Sequence, residues 1–195
     1  RVAADSEPGL ARLLHGISHL DLVVLNAGSL GPLGDLGNTP LEALTELMQV
    51  NVWANKLILD ALARRAVRVD QVVAISSGAA LTTERGWNGY ALTKAALNRL
   101  IALYAAERPE THFCALAPGL VETAMQRAIR ELPGSSEFKA FERLKAAVGT
   151  AGMSPPETAA TRLLAVFPRL RDHPSGSYLD LRKLPDASRA DATSG

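Results

Sequence analysis

The chain has 195 residues, enough for one domain with a sizeable core, and its balance of 47% hydrophobic to 21% charged residues is that of a globular protein. A net charge of +1 and 5% aromatic residues exclude the basic footprint and the stacking platforms of a nucleic-acid binder. No apolar run approaches the ~20 residues that span a bilayer, and the single Cys114 excludes an internal disulfide and fits a reducing, cytoplasmic setting.

In chain order, Arg1 to Ser6 reads as the tail of a strand entering a turn. Glu7 to His15 reads as a helix with Pro8 in its first turn, where a missing N–H costs little. Asp21 to Leu25 is a short β-branched run bounded by Asn26-Ala27-Gly28, the pattern of a buried parallel strand. Ser29 to Thr39, rich in Gly and Pro, is a loop. A long helix follows from Pro40 to Leu62, with Thr39 as N-cap, Pro40 first and Glu42 third. Gln71 to Ser76 is the next strand, Tyr90 to Glu107 the next helix, and Thr111 to Ala117 a strand stopped by Pro118-Gly119. Glu122 to Val148 reads as two short helices divided at Pro133 to Ser136. A helix from Pro155 to Phe167 and a strand from Ser177 to Leu181 complete the domain, residues 1–184, before a small polar tail, 185–195, expected to be disordered. Strands alternating with helices predict an α/β fold with a doubly wound parallel sheet.

The chemistry concentrates in the stretch from Ser77 to Lys94. Tyr90 and Lys94 are four apart and share one face of the predicted helix. A phenol titrates near ~10, and a neighbouring ammonium is expected to draw it down toward the working range of an acid–base group. Ser77, at a strand end, is placed to hydrogen-bond a substrate oxygen. Alone, a Tyr-x-x-x-Lys pair carries little weight. The surrounding segments decide.

Those segments are Asn26-Ala27-Gly28 after a strand, Asn51 in Gln-Val-Asn-Val, the Ser77, Tyr90 and Lys94 set, Pro118-Gly119-Leu120-Val121-Glu122-Thr123, and Asp5 before Ser6. In order and spacing they resemble the short-chain dehydrogenase/reductase family, over essentially the whole chain. The resemblance implies a carbonyl reductase using NADP, with NAD not excluded, on a small-molecule carbonyl. It implies Tyr90 as general acid/base, Lys94 as its pKa modulator and ribose ligand, Ser77 as carbonyl polariser, and Asn51 as the residue that kinks its helix and completes a proton relay. It places Asp5, Ser6, Asn26, Ala27, Gly28, Tyr90, Lys94, Pro118, Gly119, Val121 and Thr123 against the cofactor, and Ser77, Trp87, Tyr90, Gly119, Met125 and Asp180 against the substrate. Within the family the chain is similar to the sepiapterin reductase-like carbonyl reductases, through Arg85-Gly86-Trp87, Glu122-Thr123-Ala124-Met125-Gln126 and Ser175-Gly176-Ser177-Tyr178-Leu179-Asp180. There an aspartate at the place of Asp180 anchors the substrate ring, although a lone carboxylate is more often solvated or paired. The family's long helices, here Pro40–Leu62 and Tyr90–Glu107, imply a homodimer or homotetramer, and Ala95, Ala96, Ala102, Ala105 and Ala106 would permit close helix approach, against a subunit or against the sheet.

One departure stands out. The family's glycine-rich pyrophosphate turn and first strand have no counterpart, so an N-terminal βαβα portion on the order of 50 to 60 residues is expected to be absent from the sequence. Its loss would leave a sheet edge bare. A non-catalytic dinucleotide-sensing or scaffold protein of the same fold is the alternative reading. A serine hydrolase is disfavoured because Ser77 lacks Gly-x-Ser-x-Gly surroundings. His15 and His19 have i,i+4 spacing, but Gly16 lies between them and no third ligand is evident, so no metal site is expected. Met125, Leu132, Phe138 and Phe141 read as core at helical spacing, Met125 also as a pocket contact.

Overall fold

The computed structural model describes residues 2–131 and 137–185, with no account of the side chains of residues 2–7. Four parallel strands, β1 (His19–Leu25), β2 (Arg68–Ile75), β3 (His112–Ala117) and β6 (Ser177–Asp180), pair in the order β1-β2-β3-β6. Their carboxyl ends are level: Leu25 lies beside Ala74, Ile75 beside Leu116, and Ala117 beside Asp180. The helices are α1 (Val2–Leu13), α2 (Leu41–Met48), α3 (Ala54–Arg64), α4 (Asn88–Glu107), α5 (Ala124–Glu131), α6 (Lys139–Ala146) and α7 (Pro156–Val166). A small parallel pair, β4 (Leu120–Val121) with β5 (Met153–Ser154), lies outside the main sheet.

Both faces of the central strands are apolar, as a sheet covered twice requires. Successive side chains alternate between faces. Val72, Ala74, Phe113 and Ala115 pack with Leu59 and Leu62 of α3 and with Leu97, Ile101 and Tyr104 of α4. Val73, Cys114 and Leu116 pack with Val166 at the end of α7 and with Phe167 and Leu170 beyond it. Cys114 is fully buried, and burial pushes its thiol up to about 12, so it is an inert core group.

Four expectations are corrected. Residues from Val2 belong to α1 rather than to a strand tail, and Pro8 falls inside that helix rather than in its first turn. No strand pairs with the outer edge of β1 among the described residues. β1 itself is half-exposed rather than buried, with Val24 40% accessible, because it has one neighbour instead of two. The N-cap of α2 is Pro40, one residue later than expected. The Thr39 hydroxyl is engaged elsewhere, donating to the Asp35 carbonyl and accepting from Asn88 Nδ2. Finally, the helix expected from Pro40 to Leu62 is interrupted by a π turn, Gln49–Trp53, between α2 and α3.

The divider expected at Pro133 to Ser136 lies outside the described residues, as does the tail from residue 186 on. No helix among the described residues is long and apolar enough to cross a membrane.

Gly176 leads into β6 with φ +86°, where a Cβ would lie 3.1 Å from Ala105 Cβ and 3.3 Å from the Ala102 backbone. These two α4 alanines therefore face the sheet. Gly176→Ala should destabilise the protein by about 1–2 kcal/mol from left-handed backbone strain alone, read as a lower urea midpoint at unchanged slope.

Candidate active site

Because all four strands run the same way, the loops that follow them gather at one edge, which is where open α/β sheets bind ligands. Asn26-Ala27-Gly28 follows β1, Ser76-Ser77 follows β2, Pro118-Gly119 follows β3, and Asp180 closes β6. α4 then delivers Tyr90 and Lys94 into the same place. Its first turn approaches α2 closely, since a Cβ on Gly89 would lie 2.6 Å from Leu44 Cδ2. Glycine at that position therefore sets the depth at which Tyr90 enters.

Tyr90 and Lys94 are buried, at 7% and 4% accessible. The Lys94 ammonium lies 5.8 Å from the centre of the Tyr90 ring and donates to the Ile75 carbonyl at 2.7 Å. Burial pulls the amine down to about 8. Ser77 caps the short 3-10 turn Gly78–Leu81, its hydroxyl accepting from Ala79 N at 3.2 Å. The same hydroxyl lies close enough to the Tyr90 phenol to favour its ionised form. The structure thus brings the serine, the phenol and the amine together.

The sign of the phenol's shift is the reverse of the sequence expectation. Burial pushes Tyr90 above its ordinary value, and the nearby Ser77 hydroxyl only partly opposes this. Lys94 does not lower it, because the ammonium is aimed at the end of β2 rather than at the phenol oxygen.

Asn51 is fully buried at the centre of the π turn. Its Oδ1 accepts from Ser29 N at 2.7 Å, and its Nδ2 donates to the Ser29 carbonyl and to Thr93 Oγ1, each at 2.9 Å. Thr93 in turn donates to the Tyr90 carbonyl at 2.9 Å. The carbonyl of Asn51, turned out of α-helical register, accepts from Asn55 Nδ2 at 2.8 Å. Asn51 thereby pins the loop after β1 to α4. Gly28 lies over this junction, where a Cβ would sit 3.4 Å from Lys94 Nζ and 3.5 Å from Asn51 Oδ1.

The remaining expected site residues are spread around this centre. Asn26, Ala27 and Gly28 are exposed, Pro118, Gly119 and Val121 are half-buried, and exposed Thr123 accepts weakly from Gln126 N in the first turn of α5. Trp87 lies 5.8 Å from Tyr90, ring to ring, and 5.2 Å edge-on to Phe141, so it is both wall and packing. Met125 is half-buried on α5. Asp5 and Ser6 lie on α1, with side chains outside the described residues.

Asp180 does not offer a free carboxylate. It is 7% accessible and accepts from Arg182 three times, from N at 3.0 Å, Nε at 2.9 Å and NH2 at 2.6 Å. Those bonds hold its carboxyl below the usual range. The polar group that β6 presents at the rim is therefore Arg182, which sequence reasoning missed, as it missed Thr93 and Asn55. The spacing of Asn51 and Asn55 carried a usable signal, two amides on one helical face. His19 lies 3.0 Å from Asp70, and Asp21 is nearby, but the Arg68 guanidinium already occupies that cluster, 3.2 Å from His19 Nε2 and 3.5 Å from Asp70.

A parallel α/β sheet with a serine, a buried phenol and a buried amine at its carboxyl edge defines a doubly wound protein with its site in the family-typical place. Residues 4–133 match the family model for short chain dehydrogenase, and the chain belongs to that family. It is 32% identical to a benzil reductase ((S)-benzoin forming) of Saccharomyces cerevisiae over 180 residues, 86% of this chain and 68% of that protein. It is 30% identical to sepiapterin reductase of Rattus norvegicus over 197 residues, 91% of this chain and 73% of that protein. The crystal structure of the short chain dehydrogenase/reductase YIR035C of Saccharomyces cerevisiae superposes with TM-score 0.77 at 25% identity, covering 97% of this chain and 76% of that one. Of other curated relatives the chain spans about half, 53% and 51% of their length.

The lowered Lys94 value makes a pH prediction. An amine that titrates near 8 when folded and near 10.5 when unfolded is held deprotonated by the fold in between, so the unfolded state binds more protons there. Stability, measured relative to a Lys94→Met variant, should rise by roughly 1.4 kcal/mol per pH unit between about pH 8 and 10. Paired denaturant titrations would show the slope.

Proposed function

We propose that the protein reduces a small carbonyl compound with NADPH, a ketone, a diketone or a pterin side-chain ketone, through Ser77, Tyr90 and Lys94. The observation that carries this reading is the placement of Ser77, at the end of β2, with buried Tyr90 and Lys94, one turn apart on α4, at the carboxyl edge of the sheet. A reduction needs a group that arrives carrying a proton, and a phenol carries one throughout the neutral range.

When bound, the nicotinamide supplies the hydride to the carbonyl carbon. Ser77 donates a hydrogen bond to the carbonyl oxygen and Tyr90 gives that oxygen its proton, so the product is the alcohol. Lys94 has three donors and spends one on Ile75, leaving two for ribose hydroxyls. Exposed Gly28, lying over Lys94 and Asn51, lets a planar ring and its ribose come close to the backbone. This donor set fits the nicotinamide half of the cofactor. The names of the benzil and sepiapterin reductases support the substrate class. Asn51 acts by position, holding the loop after β1 on α4. A reducing compartment, the cytoplasm, suits the single buried thiol.

A homodimer or homotetramer is supported by exposed leucines on α4, Leu92 and Leu103, each 52% accessible. A groove of about 480 Å³ beside Leu92, bounded by Leu36, Ala79 and Ala95, is not lined by Ser77, Tyr90 or Lys94.

In the full-length protein, Tyr90→Phe should lower kcat/KM for carbonyl reduction by roughly 100-fold or more while leaving NADPH binding, followed by nicotinamide fluorescence, in place. Turnover at the parent rate would refute the assignment. Light scattering should give a dimer or tetramer mass, and Leu103→Glu should shift it toward the monomer.

A further inference from the structure

Arg182 belongs to the 3-10 turn Leu181–Lys183 after β6, and its guanidinium is fixed by the buried carboxylate of Asp180 through Nε and NH2. The side chain crosses the site edge. A Cβ on Gly119 would lie 3.3 Å from its Cγ and 3.4 Å from its Cδ, and a Cβ on Gly78 would lie 3.5 Å from its NH2. Gly78 is the residue after Ser77, so the guanidinium lies against the backbone of the loop that carries Ser77. Over half of the Arg182 side chain is exposed, at 56%, while that of Asp180 is 6% exposed. Of the five N–H donors of a guanidinium, Asp180 engages one on Nε and one on NH2. The NH1 pair has no acceptor among the described residues. An arginine held as a fork by a buried partner loses little freedom when it donates again.

We propose that Arg182 is a specificity residue that hydrogen-bonds the second, non-reacting carbonyl of a 1,2-dicarbonyl substrate. This rests on the reductase reading above and deepens it. The Asp180 carboxylate directly behind the guanidinium offsets its charge, which favours a neutral acceptor over an anion. A substrate carboxylate would meet the Asp180 charge as well as the arginine. With one oxygen on Ser77 and Tyr90 and the adjacent oxygen on Arg182, one carbonyl faces the hydride and the other is kept from it. One hydride and one proton are consumed, and the product is the α-hydroxyketone.

The test compares 1-phenyl-1,2-propanedione, propiophenone and benzoylformate as substrates of the full-length protein with NADPH, for the parent, Arg182→Leu and Arg182→Lys. For Arg182→Leu, kcat/KM for the diketone should fall roughly 10- to 100-fold, as loss of a hydrogen bond to a charged donor implies. Propiophenone should change by less than about threefold. The regioisomer ratio of the hydroxyketones should move toward parity, a readout that a merely structural role would leave alone. Arg182→Lys keeps the charge without the fork and should lose regioselectivity too. If Arg182→Leu does not fold, that ratio alone decides. Equal losses on both ketones, an unchanged ratio, or an Arg182-dependent preference for benzoylformate would overturn the proposal while leaving the reductase reading intact. A parent protein inert toward both ketones would overturn both.

Discussion

Lys94 reaches from the first turns of α4 to the carbonyl of Ile75 at the end of β2, 2.7 Å away, and is almost wholly out of solvent. A buried cation is costly unless it is hydrogen-bonded, and the depression of this amine to about 8 records that cost. The surroundings act to keep it in place. Gly89 sets how closely α4 lies on α2, and Thr93 joins the Tyr90 carbonyl to Asn51. Asn51 in turn holds both backbone groups of Ser29. Loop, helix and strand end are therefore referenced to one junction, and the positions of Ser77 and Tyr90 follow from it.

What was legible in the sequence was local. The apolar runs of β2 and β3, the four-residue spacing of Tyr90 and Lys94, and the stop at Pro118-Gly119 depend on periodicities of a few residues, and the structure has each of them. What was not legible depended on partners far away in the chain. The π turn falls at Asn51, where the resemblance implies a kink, but the partners that hold it, Ser29 and Thr93, lie 22 and 42 residues away. Thr39 does not cap α2 because Asn88 claims its hydroxyl. The direction of the Tyr90 shift is not legible because spacing shows that an amine is near but not where it points, nor how much water remains. Arg182 was invisible because only the pairing of β6 with β3 brings it over Gly119.

The rim of the site is assembled from side chains of opposite kinds. Ion pairs tie Arg85 to Asp35 and Arg143 to Glu84, and Gly34 N donates to the Gly86 carbonyl at 3.0 Å, joining the loop after β1 to the approach of α4. Exposed pairs of this sort add little stability each. Beneath them Ile129, Phe141, Phe138, Trp87, Leu30 and Leu33 form an apolar cluster that seats α5 and α6 on the same loops. The pairs orient the loops, and the cluster supplies the adhesion.

Gly86 is where that cluster leaves no slack. It has φ +99°, and a Cβ there would lie 2.6 Å from the Phe141 ring and 3.0 Å from that of Phe138. The next residue is Trp87, whose ring stands against both Phe141 and Tyr90. Evolutionary change in the covering helix is consequently yoked to the reacting phenol. A bulkier aromatic at Phe141 cannot be absorbed at Gly86 and must be passed on to the indole, so descendants that enlarge it would be expected to retune Trp87 in step.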